Sequence, residues 1–519
     1  MASIPCVKHM VNTLKNLAAA RLRYRAGRIL RSDRKACGMK KKILMFVLAG
    51  AALLLGGCGD KSPLDPGNPV SLTVWHYYNG SQQVAFNDLV REFNETVGKE
   101  KGIYVQSYGQ GSVSDLEVAV RDSLAGKVGA KEMPDIFSSY ADTAYEVEQA
   151  GALADLSQYL GKEDLEAYIT SYIDEGCIAS DGSLRIFPVA KSTEIMMINK
   201  TDWEVFSQAT GASLESLETI EGVVETAKSY YEWTDSLTPG IPNDGKAFYG
   251  RDAVANYFLI GMRQLGTEIF QAEGGKVVLN VPRESVRRLW DNYYVPIVKG
   301  YFGAYGSFRS DDVKTGDLLA YTGSTTSAMY FPGKVELDDR SYEIDYIIMS
   351  APILEGGEKY AVQQGAGMVV SKSDKLHEYA AVEFLKWFTQ AENNLRFGGV
   401  SGYMPVLKAA NNVEMLDRVI EEQEMTVAEK TYDCLAYTFE HMSDVVFYTN
   451  KSFKNGSGAR KVLEYNLSDK AQADRKLVEE ALAGGKSLEE ACAPYLTDAA
   501  FEAWYTEFCR KLGEAAGIE

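Results

Sequence analysis

This sequence predicts an α/β fold built on a largely parallel sheet and followed by a helical C-terminal region. Three observations carry that expectation. From Ser71 onward, short β-patterned runs alternate with helix-spaced ones, the order that covers both faces of a sheet with helices. The chain has 519 residues, 46% hydrophobic and 24% charged, enough for two or three units that each bury a core. Beyond about Val406 the apolar residues recur almost throughout at helical spacing.

The first 57 residues stand apart. They hold twelve Lys/Arg and one acidic residue, which leaves 42 basic against 71 acidic residues in the remainder, a balance of about -29. Lys40, Lys41 and Lys42 follow Met39, then comes the apolar run Ile43 to Leu55, then Gly56, Gly57 and Cys58. A basic cluster, a short apolar stretch and small residues before a cut form a secretory signal. Leu55-Gly56-Gly57-Cys58 resembles a bacterial lipobox, in which the cysteine receives acyl chains and becomes the mature N-terminus. The run of about fifteen apolar residues falls short of the roughly twenty that span a bilayer. Residues 1–57 are therefore expected to be an upstream extension plus signal peptide, with Met39 the preferred true start. Cys58 is expected to anchor the mature protein to the outer face of the cell membrane.

Asp60 to Val70, rich in Pro, Gly and Asp, reads as the body of a tether spanning 58–70. The expected elements then run as follows. Strand Ser71 to Trp75 precedes helix Gln82 to Val97, with Val84, Phe86, Leu89, Val90 and Phe93 on one face. Strand Gly102 to Gln106 precedes helix Asp115 to Leu124, with Leu116, Val118, Val120 and Leu124 buried. Strand Pro134 to Phe137 precedes helix Thr143 to Ala150. Asp202 to Thr234 is expected as one helix, Asp235 to Gly250 as a loop, and Asp252 to Leu265 and Arg283 to Tyr294 as helices. Tyr321 to Ser327 is a strand end with small polar residues. Tyr342 to Met349 is a strand expected to return to the first lobe, and Met368 to Val370 is another strand. Leu376 to Phe388 is an amphipathic helix, and Phe501, Trp504 and Phe508 mark a late apolar stripe.

Residues 71–410 resemble the extracellular solute-binding proteins of bacterial ABC importers, in the sugar-binding group that includes maltose-binding protein. The stretches that carry the resemblance are Leu72 to His76, Phe86 with Phe93-Asn94, Pro134-Asp135-Ile136, Ala351-Pro352, Gly365 to Val370, Ala380 to Thr389 and Ser401 to Val406. It implies a bilobed periplasmic-binding-protein-like fold (type II), two α/β lobes joined by hinge strands, with a helical C-terminal extension. Lobe one would comprise 68–188 plus 340–396, and lobe two 192–338 plus 397–519, with a first crossing at Pro188 to Thr193. The implied function is capture of an extracellular solute, first of all a carbohydrate, and its delivery to an ABC permease by a lipid-anchored monomer. The alternatives are a glycerophosphodiester or other anionic solute, and a surface sensory or adhesive receptor.

Sugar sites need flat aromatic faces and fixed polar groups, and the chain has 31 Tyr and 6 Trp. Ligands of such folds sit at the carboxyl ends of strands, which singles out Trp75, Tyr77 and Tyr78, then Ser112, then Tyr140 and Asp142. Asp142 serves equally as a helix cap. Lys191, Ser192 and Glu194 stand at the expected crossing, where Lys191 and Glu194 either meet the solute or pair with each other. Trp233 and Arg251 flank the long loop. Ser324 and Thr325 resemble the small polar loop the family places in the cleft, Gln364 comes just before the Ala-Gly-Met strand, and Tyr403 lies in a segment the family holds near the ligand or hinge; each is also consistent with packing or a turn.

Catalysis, metal and cofactors are not expected. No Gly-x-Ser-x-Gly, His-Glu-x-x-His or Walker loop occurs. None of Cys6, Cys37, Cys58, Cys177, Cys434, Cys492 and Cys509 forms a CxxC pair, and a bridge between Cys492 and Cys509 is left open. The acidic balance argues against nucleic acid as a partner.

Overall fold

The computed structural model describes residues 62–273 and 276–518. The expected signal segment, Cys58 and the first residues of the tether lie outside the described residues. In chain order the principal elements are β1 (Val70–His76), α1 (Gly80–Glu95), β2 (Ile103–Gly109), α2 (Val113–Leu124), β3 (Ile136–Ser139), α3 (Ala141–Gln149), α4 (Thr170–Gly176), β4 (Ile186–Phe187) and β5 (Glu194–Asn199). Next come α5 (Lys200–Thr210), α6 (Ile220–Ser236), β6 (Tyr249–Arg251), α7 (Val254–Gln264), α8 (Arg283–Val298), β7 (Ala320–Ser324), β8 (Tyr346–Ser350), β9 (Tyr360–Val362) and β10 (Gly367–Val370). The chain closes with α9 (Lys375–Phe388), α10 (Ala391–Ser401), α11 (Val413–Glu422), α12 (Glu429–His441), β11 (Val446–Tyr448), α13 (Gly456–Ala483) and α14 (Asp498–Ala516).

Two sheets organise two lobes. The first has the order β2-β1-β3-β10-β4, and the second β8-β5-β7-β6. The parallel arrangement expected from strand–helix alternation holds for β2, β1 and β3. It stops at β10, which runs antiparallel to both β3 and β4. The second sheet is mainly antiparallel, with β5 between β8 and β7. The reason lies in the connections: β10 enters the first sheet from the other lobe, so no right-handed helical crossover dictates its direction.

The strand expected at 342–349 does not return to the first lobe. As β8 it pairs with β5, Tyr346 opposite Asn199, in the second sheet. An alternating pattern names a half-buried strand but not its partner. The return occurs later, between β9 and β10; before it, Tyr346–Ser350 joins the second sheet and Tyr360–Val362 pairs with Val446–Tyr448. Conversely, α10 and the turn after it stay with lobe one, where Phe397, Tyr403 and Val406 join the core formed by Phe86, Phe93 and Phe388. The expected helix 202–234 is broken at Gly211, which ends α5 with φ of 80°, and Thr219 caps a new helix. On α1 the apolar face is Phe86, Leu89, Val90 and Phe93, with Val84 outside. On α2 it is Leu116 and Val120, with Val118 outside.

The C-terminal helices are part of lobe two. Phe258 of α7 stacks on Phe508 of α14 at 5.3 Å, and Trp290 of α8 meets Phe501 and Trp504. Glu464 of α13 accepts hydrogen bonds from the amides of Val254 and Ala255, supplying the carboxylate that a helix N-terminus favours. Among the described residues, Cys177, Cys434, Cys492 and Cys509 form no disulfide with one another.

Candidate functional site

The chain passes between the lobes in three segments that lie side by side. The first leaves β4 at Phe187 and enters β5 at Glu194. The second, between β9 and β10, is held to the first by reciprocal backbone bonds between Ser192 and Gln364 (2.8 and 3.0 Å). The third follows α10, where Met404 pairs in the same way with Lys191. Lys191 and Ser192 thus form the centre of a three-stranded hinge.

Lys191 is 1% exposed. Its ammonium reaches Glu175 of α4 at 2.6 Å and the Gly365 carbonyl at 2.9 Å. Gln363 also donates to Glu175. Glu194, at the start of β5, takes the Arg251 guanidinium at 2.8 Å. Lys191 and Glu194 therefore do not pair with each other. Each is neutralised by a residue distant in sequence.

Above this hinge stand groups from both lobes. On the lobe-one side, Tyr77 follows β1 and Tyr140 and Asp142 follow β3. The rings of Tyr77 and Tyr140 lie parallel with centroids 6.4 Å apart. The Tyr77 hydroxyl is 3.3 Å from that of Tyr403, whose ring stacks on Phe397. Burial drives the Tyr77 and Tyr403 phenols well above their ordinary range. Tyr140 keeps 37% of its surface open, yet burial raises its phenol as well, as expected of a ring lining a recess rather than standing out from it. Tyr78 packs deeper, between Phe86 and Phe397. Asp142 is not a cap, because α3 begins at Ala141 with no side-chain cap bond. Burial pushes its carboxyl up to about 6 against the pull of Arg460, and Glu117, Glu146 and Glu175 add to the rise.

On the lobe-two side, Arg251 ends β6, Ser324 ends β7 and Thr325 follows. The Ser324 hydroxyl accepts from the Thr326 amide, and the Thr325 amide donates to Thr193 at the first crossing. The Thr193 and Thr325 hydroxyls and the Arg251 Nε are buried without a hydrogen-bond partner among the described residues. The side chain of Gln364 accepts from Asn256 of α7. Arg460 of α13 donates to the same asparagine.

The fold thus brings together Tyr77, Tyr140, Asp142, Lys191, Ser192, Glu194, Arg251, Ser324, Thr325, Gln364 and Tyr403, with Tyr78 behind them. It places three expected residues elsewhere. Trp75 is 4% exposed in the lobe-one core, with the Lys131 ammonium over its ring. Ser112 caps α2 in a reciprocal box with Asp115. Trp233 packs on Phe206 and Tyr230. Sequence reasoning missed Asn256, Arg460 and Glu175. The one available signal was Asn455-Gly-Ser-Gly-Ala-Arg460, a run of small residues opening a long helix. Gly456 is where α13 meets lobe one, and a Cβ there would lie 2.4 Å from the Asp142 carboxylate.

His76 is fully buried beside Tyr78 and Phe86, with neither ring nitrogen bonded among the described residues, and burial holds its pKa down to about 4. It and Asp142 act with opposite sign on stability. The folded value for His76 lies below the ordinary 6.5, so the unfolded chain binds the extra proton. That contribution is whole above pH 6.5 and drains away as pH falls towards 4, and it is worth roughly 3 kcal/mol. The folded value for Asp142 lies above the ordinary 3.8, so its contribution is whole below that value and is lost as pH rises through 6. In thermal melts between pH 7 and 4, His76→Phe should flatten the acid loss of stability. Asp142→Asn should raise the melting temperature at pH 7 and steepen the acid loss.

Two lobes on a three-segment hinge, with polar and aromatic groups facing each other across it, define a bilobed solute-binding protein. Residues 88–425 match the family described as bacterial extracellular solute-binding protein, and the chain belongs to that family, whose members bind solutes and are not enzymes. Among the described residues no group of three or more His, Cys, Asp or Glu side chains is placed to hold a metal ion.

A curated relative is the sn-glycerol-3-phosphate-binding periplasmic protein of Rhizobium meliloti (strain 1021). It is 24% identical over 366 residues, which cover 65% of this chain and 76% of that protein. Among solved structures, the UgpB protein of Mycobacterium tuberculosis with glycerophosphocholine has a TM-score of 0.60 at 16% identity, covering 86% of this chain and 99% of its own. The cyclic alpha-maltosyl-1,6-maltose binding protein of Arthrobacter globiformis has a TM-score of 0.58 at 19% identity, covering 86% and 100%.

Proposed function

We propose that this protein captures a carbohydrate outside the cytoplasm and hands it to the permease of an ABC importer, working as a monomer anchored by acyl chains on Cys58. The observation that carries the choice of solute is the group of Tyr77, Tyr140 and Tyr403 beside a hinge whose buried cations Lys191 and Arg251 are already matched. Lys191 is spent on Glu175 and Arg251 on Glu194, so rings and hydroxyls, the groups that hold a sugar, are the most numerous contacts left beside Arg460 and Asp142. Closure of the lobes over the solute would give the permease two distinguishable states.

A glycerophosphodiester is the second reading, and Arg460 favours it. Among the described residues Arg460 has no carboxylate within 4 Å, so its charge is available to a phosphate. The Rhizobium relative binds sn-glycerol 3-phosphate, a phosphate monoester, by its name, and the Mycobacterium protein was solved with glycerophosphocholine, a glycerophosphodiester.

A thermal-shift panel of mono- and oligosaccharides, polyols and glycerophosphodiesters decides between them, since a ligand of the native state raises the melting temperature by linkage. An oligosaccharide such as maltotriose is expected to shift the melt. Silence across sugars with a shift from glycerophosphocholine would replace the first reading by the second. Under either reading Arg460→Ala should weaken binding by about tenfold or more.

A further inference from the structure

Asn256 lies on α7 with no exposed surface. Its Nδ2 donates to Glu194 Oε1 at 2.9 Å and to Gln364 Oε1 at 3.0 Å, and its Oδ1 accepts from Arg460 Nη2 at 2.5 Å. The partners fix the amide's orientation: turned over, its oxygen would face the Glu194 carboxylate and its NH2 the guanidinium. One neutral side chain thereby ties the first crossing, the second crossing and the C-terminal helix together.

Across the cleft, Asp142 makes no hydrogen bond or ion pair among the described residues. It lies against Gly456, four residues before Arg460. Arg460 is the leading influence lowering the pKa of Asp142, although no ion pair joins them, so the two charges face each other without meeting. A guanidinium this near a poorly solvated carboxylate ordinarily closes on it.

We propose that Asn256 is a positioning residue that takes Arg460 on a neutral oxygen and withholds it from Asp142. The site then offers a donor from lobe two and an acceptor from lobe one, in place of a salt bridge between the lobes. The benefit to solute capture rests on the proposed reading of this cleft as the solute site. The withholding itself does not.

The test follows the Asp142 carboxyl by 13C NMR of aspartate-labelled protein, with small-angle scattering of the empty protein alongside. Asn256→Ala is expected to lower the Asp142 midpoint by a unit or more, as Arg460 swings onto it, and to make the empty protein more compact. Arg460→Ala is expected to raise the midpoint, and the double variant should titrate like Arg460→Ala. An unchanged or raised midpoint in Asn256→Ala overturns the proposal. Should that variant fail to fold, Asn256→Leu keeps the volume and still removes the acceptor for Arg460. Its Asp142 midpoint should fall as well, and an unchanged or raised midpoint overturns the proposal.

Calorimetry with maltotriose and glycerophosphocholine adds the solute. The probe that binds the wild type should bind Asn256→Ala about tenfold or more weakly. Loss of binding in Arg460→Ala with none in Asn256→Ala overturns the positioning role. Wild-type binding by Arg460→Ala, with the titration shifts intact, overturns the solute-contact reading and leaves the withholding standing.

Discussion

Lys191→Met should lower the folding free energy by about 3–5 kcal/mol at neutral pH, as expected when one partner of a buried ion pair is removed. The side chain is 2% exposed and its partner Glu175 9%, so the carboxylate left behind has little water to turn to. Methionine fills the same volume, so the loss reports charge and not a cavity. Two further bonds make the effect larger than a surface pair would give. Lys191 also holds the Gly365 carbonyl, and Glu175 also holds Gln363, so the pair fastens the first and second crossings to α4. Lys191→Met with Glu175→Gln should recover most of the stability, because the orphaned charge is gone and Gln363 keeps an acceptor. Denaturant unfolding of the two variants against the wild type checks this. Equal loss in single and double variants would show that the pair's charge is irrelevant.

The hinge was partly legible in the sequence. The expected crossing at Pro188 to Thr193 comes from the resemblance to solute-binding proteins and not from its own residues, which begin Pro-Val-Ala and turn polar only at Lys191, although a hinge is crossed by short, extended segments. The tyrosines after β1 and β3 follow from a rule about strand ends that needs no knowledge of packing. The same rule overreached at Trp75, whose ring the strand's alternation turns inward, and at Ser112, where the need to cap α2 is satisfied within four residues. What could not be read were pairings that depend on helices meeting in space. Arg460 lies 204 residues from Asn256, and Glu175 lies on a short helix with no periodicity to mark its buried side. The destination of β8 was equally hidden, because its alternation suits an edge strand of either sheet.

Gly365 is the position at the hinge where a methyl group alone should matter most. It sits at φ of +102°, outside the region L side chains adopt readily, and a Cβ would lie 2.8 Å from the Ala190 carbonyl oxygen and 3.2 Å from the Lys191 Cα. Both obstacles are backbone, so no rotamer change relieves them. Gly365→Ala must either push the first and second crossings apart, breaking the Ser192–Gln364 pair, or absorb the strain in the second. Backbone strain of this kind costs on the order of 1–3 kcal/mol before the clash is counted. Gly356 provides the control: its φ is +68°, and nothing lies within 4 Å of a Cβ there. Gly356→Ala should lower the melting temperature slightly and leave solute affinity unchanged. Gly365→Ala should lower it far more, widen the empty protein in small-angle scattering and weaken the solute, because closure would start from a loosened hinge. If the two variants behaved alike, positive φ would be the whole effect and the close approach of the crossings would have no part in holding the lobes.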